Sequence, residues 1–494
     1  MSTPRKAPAV GAAVVRGAFI MVALRFVVRL IGLFSTMVLA RLLTPADFGV
    51  VGTAAIVTGL FAILQNIGIR EGLARLKTVD RDHICTAWTL NLITSAGVTL
   101  ALISATPLAT AWLTEPKLAQ ILPMLALTPT LAALGSPGSM TLLRELKFKR
   151  EFILGVLQKV FTVAATISWA LVIGDYRGLV AGTLSGAVIF LGLTYVIYPY
   201  RPTLTLSRWR DFLGFSLWSM VQGGAVYVAT TIDEIFVRRI SNTASFGLYH
   251  ASRDLSRTLV SEMVAPAATA LLPGLAKISH DPARFSAAVD RVIGVGFIVA
   301  AAVGTLLSGL APDLIRLLLG EKWLPAAPFL TWLAFGVAAQ TLAGLHRSIT
   351  ASCGMTHVSA LLWVLRAIAM VMVCGLTAHY GTAEDVAMNF AVASIVLTAL
   401  DYQLILWRLG RPTALFRLGC GPLLAAGAAT FALGRMTFAD AWPLLLRLPV
   451  EGLATIALYV ALLSTAWWLR GRPEGAEQTL LANARQLTTR LRKR

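Results

Sequence analysis

The stretch ARLLTPADFGVVGTA (40–54) recurs in outline as RRISNTASFGLYHAS (238–252). In each, an apolar run ends on an arginine, Arg41 or Arg239. A short polar turn follows, and Phe-Gly (Phe48-Gly49, Phe246-Gly247) leads into a new helical stretch. A second echo pairs Lys159 and Gly174 with Arg366 and Gly381 at one common offset. Similarity at so long a period points to a duplicated bundle, and in membrane proteins duplicated bundles are mostly transporters.

Composition agrees with a chain that lives in lipid. Of 494 residues, 57% are hydrophobic and 14% charged, where a soluble chain carries about a quarter charged. Apolar stretches of about twenty residues, each long enough to cross roughly 30 Å of hydrocarbon, recur from 17–40 to 448–470. The pattern predicts an all-α polytopic membrane protein with about 14 transmembrane helices, arranged as two pseudo-symmetric six-helix lobes plus two C-terminal helices. The expected boundaries are 1–200 and 201–410 for the lobes, 411–470 for the two added helices and 471–494 for a basic cytoplasmic tail. Six helices per repeat is an even number, so both halves enter the membrane in the same sense, with a pseudo-twofold axis along the normal and a cleft between them.

The net charge of +19 would suit nucleic acid, but its placement argues for topology instead. With the N-terminus inside, the lysine- and arginine-rich segments 69–83, 144–151 and 201–211 and the tail all fall on the cytoplasmic side, the positive-inside bias. A multi-pass inner-membrane protein with both termini cytoplasmic is expected, with no nucleic-acid partner. The basic start leads into an apolar run that contains Arg25 and Arg29 and continues to Leu43, which reads as a retained first span. In the tail, Leu480, Leu481, Ala484, Leu487 and Leu491 lie near one helical face, which suits either a surface-lying amphipathic helix or a frayed basic tail. The four cysteines and six histidines show neither CxxC nor HExxH spacing, and no GxxxxGK[ST] occurs. No catalytic residue, metal or cofactor is expected.

Ionisable groups inside spans are costly, about 2.5–3.5 kcal/mol each on insertion scales, so each needs a reason. In span 8, His250, Arg253, Asp254, Arg257, Thr258, Ser261 and Glu262 repeat at helical period and form one polar stripe. Such a stripe faces either a hydrated cavity or a self-neutralising network in which Asp254 and Glu262 pair with Arg253 and Arg257. Arg25 and Arg29 sit one turn apart in span 1, with Gly32 and Thr36 on the same face and no acid in the span. Lys159 and Arg366 hold matching positions in the two halves. Asp233 and Glu234 in span 7 either couple transport to an ion or pair with arginines, and Asp254 and Glu262 share that ambiguity. Gly223-Gly224 and Pro266 are candidate hinges. Converging guanidinium groups favour an anionic passenger, because their planar fork donates bidentate hydrogen bonds to phosphate at any pH.

Several runs in order carry a family resemblance: LARLLTPADFG (39–49), RELKFKREF (144–152), RPTLTLSRWRDFLGFSLWS (201–219), TIDEIFVRRI (231–240), FGLYHASRDL (246–255), LLPGLAKI (271–278) and LLGEKWLPAAPFL (318–330). Together they resemble the polysaccharide-exporter, Wzx-type branch of the multidrug/oligosaccharidyl-lipid/polysaccharide superfamily, including exporters of succinoglycan-type exopolysaccharides. The resemblance implies a flippase for undecaprenyl-pyrophosphate-linked oligosaccharide, working by alternating access through a cationic central cavity lined by Arg25, Arg29, Arg253, Arg257, Arg366 and Lys159. It also implies membrane lipid as a partner, with a polysaccharide polymerase and a chain-length regulator as further candidates. The alternatives are a cation-coupled multidrug exporter of the same fold and a peptidoglycan-precursor lipid flippase.

Overall fold

Short polar residues stand just before several helices and close their open N–H groups, which have no partner within the helix. Thr44 and Asp47 exchange bonds in a capping box, Thr44 N donating to Asp47 Oδ2 at 2.9 Å and Asp47 N to Thr44 Oγ1 at 3.3 Å. Asn242 Oδ1 accepts from Ser245 N at 2.8 Å at the corresponding place in the second repeat. The other echo is capped as well, by Asp175 accepting from Arg177 N at 2.8 Å and by a Thr382–Asp385 capping box. Both echoes therefore mark duplicated helix starts.

In the computed structural model, the described residues are 8–65, 69, 73, 76, 78–141, 148–269, 282–346, 349–350, 355–411, 413–433, 443–471 and 476–478. The tail positions 480–491 lie outside them. Among the described residues there is no strand. The helices are α1 (Pro8–Leu42), α2 (Pro45–Gln65), α3 (Arg81–Trp112), α4 (Leu118–Ala133), α5 (Phe148–Ile173), α6 (Tyr176–Ile197), α7 (Ser216–Ile240), α8 (Thr243–Thr269), α9 (Pro282–Gly309), α10 (Ala311–Leu318), α11 (Ala327–Ala343), α12 (Thr356–Tyr380), α13 (Ala383–Arg408), α14 (Ala414–Leu433) and α15 (Leu444–Leu469). Nine helices among the described residues are long and apolar enough to cross a membrane, and 118–133 and 418–432 are shorter apolar helices. This is an all-α, multi-pass membrane protein.

The chain divides into two units, one of residues 1–227 with 242–247, the other of 228–241 with 248–494. In the first, α6 lies against α5 along a row of glycines. A Cβ on Gly178, Gly182 or Gly186 would come within 2.8 Å of Ala170, Thr166 or Thr162, the small-residue contact that lets helices approach closely where no hydrophobic effect drives them together. Val50, Ala54, Leu102, Leu118, Leu122 and Val180 form a core between α2, α3, α4 and α6. The segment 201–211 is fastened to the start of α3: Thr205 N donates to Thr89 Oγ1, Arg208 N to Thr86 Oγ1, and His83 Nε2 lies 3.3 Å from Asp211. Asp80 caps α3, and the backbone N–H and ring of His83 hold its carboxyl below the usual carboxylate range.

Also in the first unit, the two Phe-Gly segments meet each other. A Cβ on Gly49 would lie 1.9 Å from the Thr243 carbonyl oxygen, and one on Gly247 would lie 1.8 Å from that of Pro45. Thr243 and Pro45 are themselves equivalent in the repeat. The contact is thus a local twofold in which each glycine admits the other segment's backbone. Thr243 Oγ1 also donates to buried Glu115 at 2.6 Å.

In the second unit the core runs through α9, α11 and α13, where Ile293, Phe297, Val337, Leu342, Tyr402 and Ile405 are buried together. The two added helices pack on α9 through Ala425, Ala429 and Tyr459, whose hydroxyl donates to the Ile298 carbonyl at 3.0 Å. As a result 78% of the apolar stretch of α9 is buried, against 28% for its counterpart α3.

Candidate functional site

α7 and α8 follow one another in the chain, and their facing residues gather most of the misplaced charge. Arg253, fully buried, donates through Nη1 to Asp233 Oδ2 and through Nη2 to the Thr230 carbonyl at 2.5 Å. Its Nε lies 2.8 Å from Glu234 Oε1, an ion contact whose N–H points too far off line to count as a hydrogen bond. Tyr249 donates to Asp233 Oδ2 at 2.5 Å, and His250 Nδ1 lies 3.2 Å from Glu234 Oε2. Arg257 reaches Glu234 Oε1 at 3.5 Å and the Thr230 carbonyl at 2.6 Å while 41% of its side chain stays exposed. Phe390 on α13 lies under the Arg253 guanidinium, 4.4 Å from ring centre to Cζ.

Among the described residues, the acids that meet Arg253 therefore come from α7. Asp254 points to an exposed position, and the side chain of Glu262 lies outside the described residues. Arg253 is thus fully buried, with its guanidinium held against Asp233, Glu234 and the Thr230 carbonyl. Arg257, at the rim of the same network, keeps part of its fork open.

Arg366 on α12 is likewise enclosed, at 1% exposure. It bonds Asp401 Oδ2 through Nη2 at 2.6 Å and Nε at 3.2 Å, and Thr398 Oγ1 at 3.0 Å, with Trp363 alongside. Its echo Lys159 is half-buried in the first unit, its stem against Gly32 of α1, where an added Cβ would lie 3.5 Å from Lys159 Cε. Arg29 is exposed on α1, and the side chains of Arg25 and Pro266 lie outside the described residues. α7 runs as continuous helix through Gly223-Gly224. Replacing Arg366 and Asp401 together by methionine and leucine is expected to leave thermal stability within about 1–2 kcal/mol of wild type, because an apolar pair of similar volume can replace a buried ion pair. Arg366→Met alone should cost about 3–5 kcal/mol. Thermal unfolding of the purified single and double variants checks the pair.

Two features gave no clear signal in the sequence. Asp313 of α10 lies 3.0 Å from Arg447 of α15, which also bonds Glu451 at 2.6 Å. These residues fall at span ends, where charge is ordinary. The first unit also holds a cavity of about 750 Å3 between α2, α3, α4, α5 and α6, and none of its lining residues among the described ones is charged. Its polar groups are threonines and two glutamines, Gln65 and Gln158, at most two per helix and none on α3, so no periodic pattern announces them.

A family profile described as "Polysaccharide biosynthesis protein" matches residues 38–328. The chain belongs to this family. Membership agrees with the resemblance read from the sequence, and the matched region covers α2 through α10. Family relatives include the succinoglycan biosynthesis transport protein ExoT of Rhizobium meliloti, 24% identical over 60% of this chain and 60% of that protein. The lipopolysaccharide biosynthesis protein WzxC of Escherichia coli is 20% identical over 75% and 76%. An uncharacterized membrane protein in the cps region of Klebsiella pneumoniae is 20% identical over 76% and 79%. Among solved structures, the lipid II flippase MurJ in an inward closed conformation superposes with a TM-score of 0.70 at 13% identity, covering 91% of this chain and 99% of that one. An inward-facing MATE-family multidrug transporter gives 0.63 at 15% identity, covering 84% and 100%. At these identities the structures establish a shared fold and leave the passenger open.

Proposed function

We propose that this chain carries polyprenyl-pyrophosphate-linked oligosaccharide units from the cytoplasmic to the periplasmic face of the inner membrane by alternating access. The observation that carries the reading is the family match across 38–328, on a fold that a lipid flippase also uses. The spread of Lys and Arg supports cytoplasmic termini. A polymerase and a chain-length regulator are the partners such a pathway would supply.

Of the six expected cationic groups, Arg253 and Arg366 serve the scaffold. Arg257 of the second unit is assigned to the pyrophosphate, and Arg25, Arg29 and Lys159 are proposed as passenger-facing cations of the first unit. The part of the Arg257 fork that stays exposed suits phosphate oxygens. The multidrug and peptidoglycan-precursor readings share the fold, and no feature of either unit favours them separately.

Two experiments test this. In a strain lacking the gene, lipid-linked oligosaccharide should accumulate in the cytoplasmic leaflet; normal delivery to the periplasmic face overturns the flippase reading. Arg257→Ala is expected to cut export at least tenfold with an unchanged protein band, since Arg253 and His250 still contact Glu234. Loss of the band instead would make Arg257 part of the scaffold.

A further inference from the structure

We infer that the uncharged cavity of the first unit holds the neutral sugar rings of the passenger. The inference rests on the flippase reading and adds where the carbohydrate goes. Helix bundles normally close their interior to near-crystalline density, yet here about 750 Å3 stays open among five helices. That volume lies within the usual range of roughly 300–1,000 Å3 for sites that enclose a small ligand, enough for a few sugar rings.

The lining defines the chemistry. With neither a carboxylate nor a cation among its described lining residues, the cavity suits neither a cationic compound nor a phosphate. Thr58, Thr128 and Thr183 each donate their hydroxyl proton to a carbonyl of their own helix, Ala54 at 3.0 Å, Leu125 at 2.6 Å and Leu179 at 2.9 Å. What they offer the cavity is lone pairs. The Leu125 carbonyl is available to Thr128 because Pro129 brings no N–H to that turn. Gln158 has no hydrogen-bond partner among the described residues, so its amide offers both two donors and an acceptor. A ligand that satisfies several acceptors and an amide must be uncharged and rich in hydroxyls. Phe61 and Phe190 add aromatic surface, whose electron-rich faces accept the C–H face of a pyranose ring. A lipid chain would leave the Gln158 amide without a partner in a dry site, which is costly.

The full-length chain, purified in lipid nanodiscs, is titrated with two probes: undecaprenyl pyrophosphate bearing a neutral trisaccharide, and bare undecaprenyl pyrophosphate. Gln158→Leu removes the amide, and Ala187→Phe fills part of the cavity from α6. Each variant is expected to weaken binding of the glycosylated probe about tenfold or more while binding the bare probe as wild type does. Retained binding of the bare probe also shows that the variants are folded. Unchanged affinity for the glycosylated probe in both variants overturns the sugar assignment and leaves the flippase reading intact. Equal weakening of both probes assigns the cavity to the lipid or its pyrophosphate and also overturns it. Failure of the wild-type chain to bind either probe overturns the flippase reading itself.

Discussion

Arg253→Leu is expected to destabilise the protein by about 3–5 kcal/mol, the usual cost of leaving one partner of a buried ion pair uncompensated. Asp233 and Glu234, both buried, would lose the guanidinium that touches each of them. Arg257 does not take its place, because it reaches Glu234 only at 3.5 Å and makes no ion pair with Asp233 among the described residues. Against a total stability of about 5–15 kcal/mol, a loss of this size reaches the threshold at which folded protein becomes scarce. Adding Asp233→Asn should recover a substantial part, since one of the two stranded charges is then gone. Melting of the purified variants and their level in membranes measure both effects. An Arg253→Leu protein that melts with wild type would mean that water or another cation already neutralises the two acids.

The second large effect concerns Gly49 and Gly247. Alanine at Gly247 places a methyl group 1.8 Å from the Pro45 carbonyl oxygen and 2.7 Å from its carbon. The obstacle is backbone, so no rotamer change relieves it, and the start of α2 or of α8 must shift. Overpacking ordinarily costs about 1–3 kcal/mol, and a backbone-against-backbone clash belongs at or above the top of that range. Gly49→Ala meets the Thr243 carbonyl in the same way. The two substitutions push apart the same pair of segments, so the double variant should cost less than the sum of the singles. Thermal unfolding of both singles and the double gives the comparison, and strict additivity would show that each glycine is accommodated separately.

Much of the fold was legible because duplication leaves chemistry at fixed intervals. The Phe-Gly and Lys159/Arg366 echoes point to repeated helix starts, and the caps at Thr44, Asn242, Asp175 and Thr382 explain why polar residues recur there. Why the echo keeps Gly rather than Ala was not legible, since the reason is a contact between segments far apart in sequence. The stripe in α8 marked the right helix, but periodicity shows which residues share a face and not what that face meets. The acids that answer it sit in the preceding helix, at Asp233 and Glu234. What Arg366 meets was not legible either, since Asp401, 2.6 Å away, comes a full helix later in the chain. The cavity was least legible, because isolated threonines and glutamines in apolar helices carry no period.

The enclosure of α9 by α14 and α15 changes the standard by which its residues are judged. On α3, Leu100 and Leu108 are exposed and meet hydrocarbon, so any side chain that dissolves in oil serves there, whatever its shape. On α9, Ala300, Ala301 and Val303 are buried against protein, so shape governs: a serine of similar size fits where a leucine does not. Two helices of matching apolar character therefore tolerate opposite kinds of change, one forgiving bulk and the other forgiving a hydroxyl.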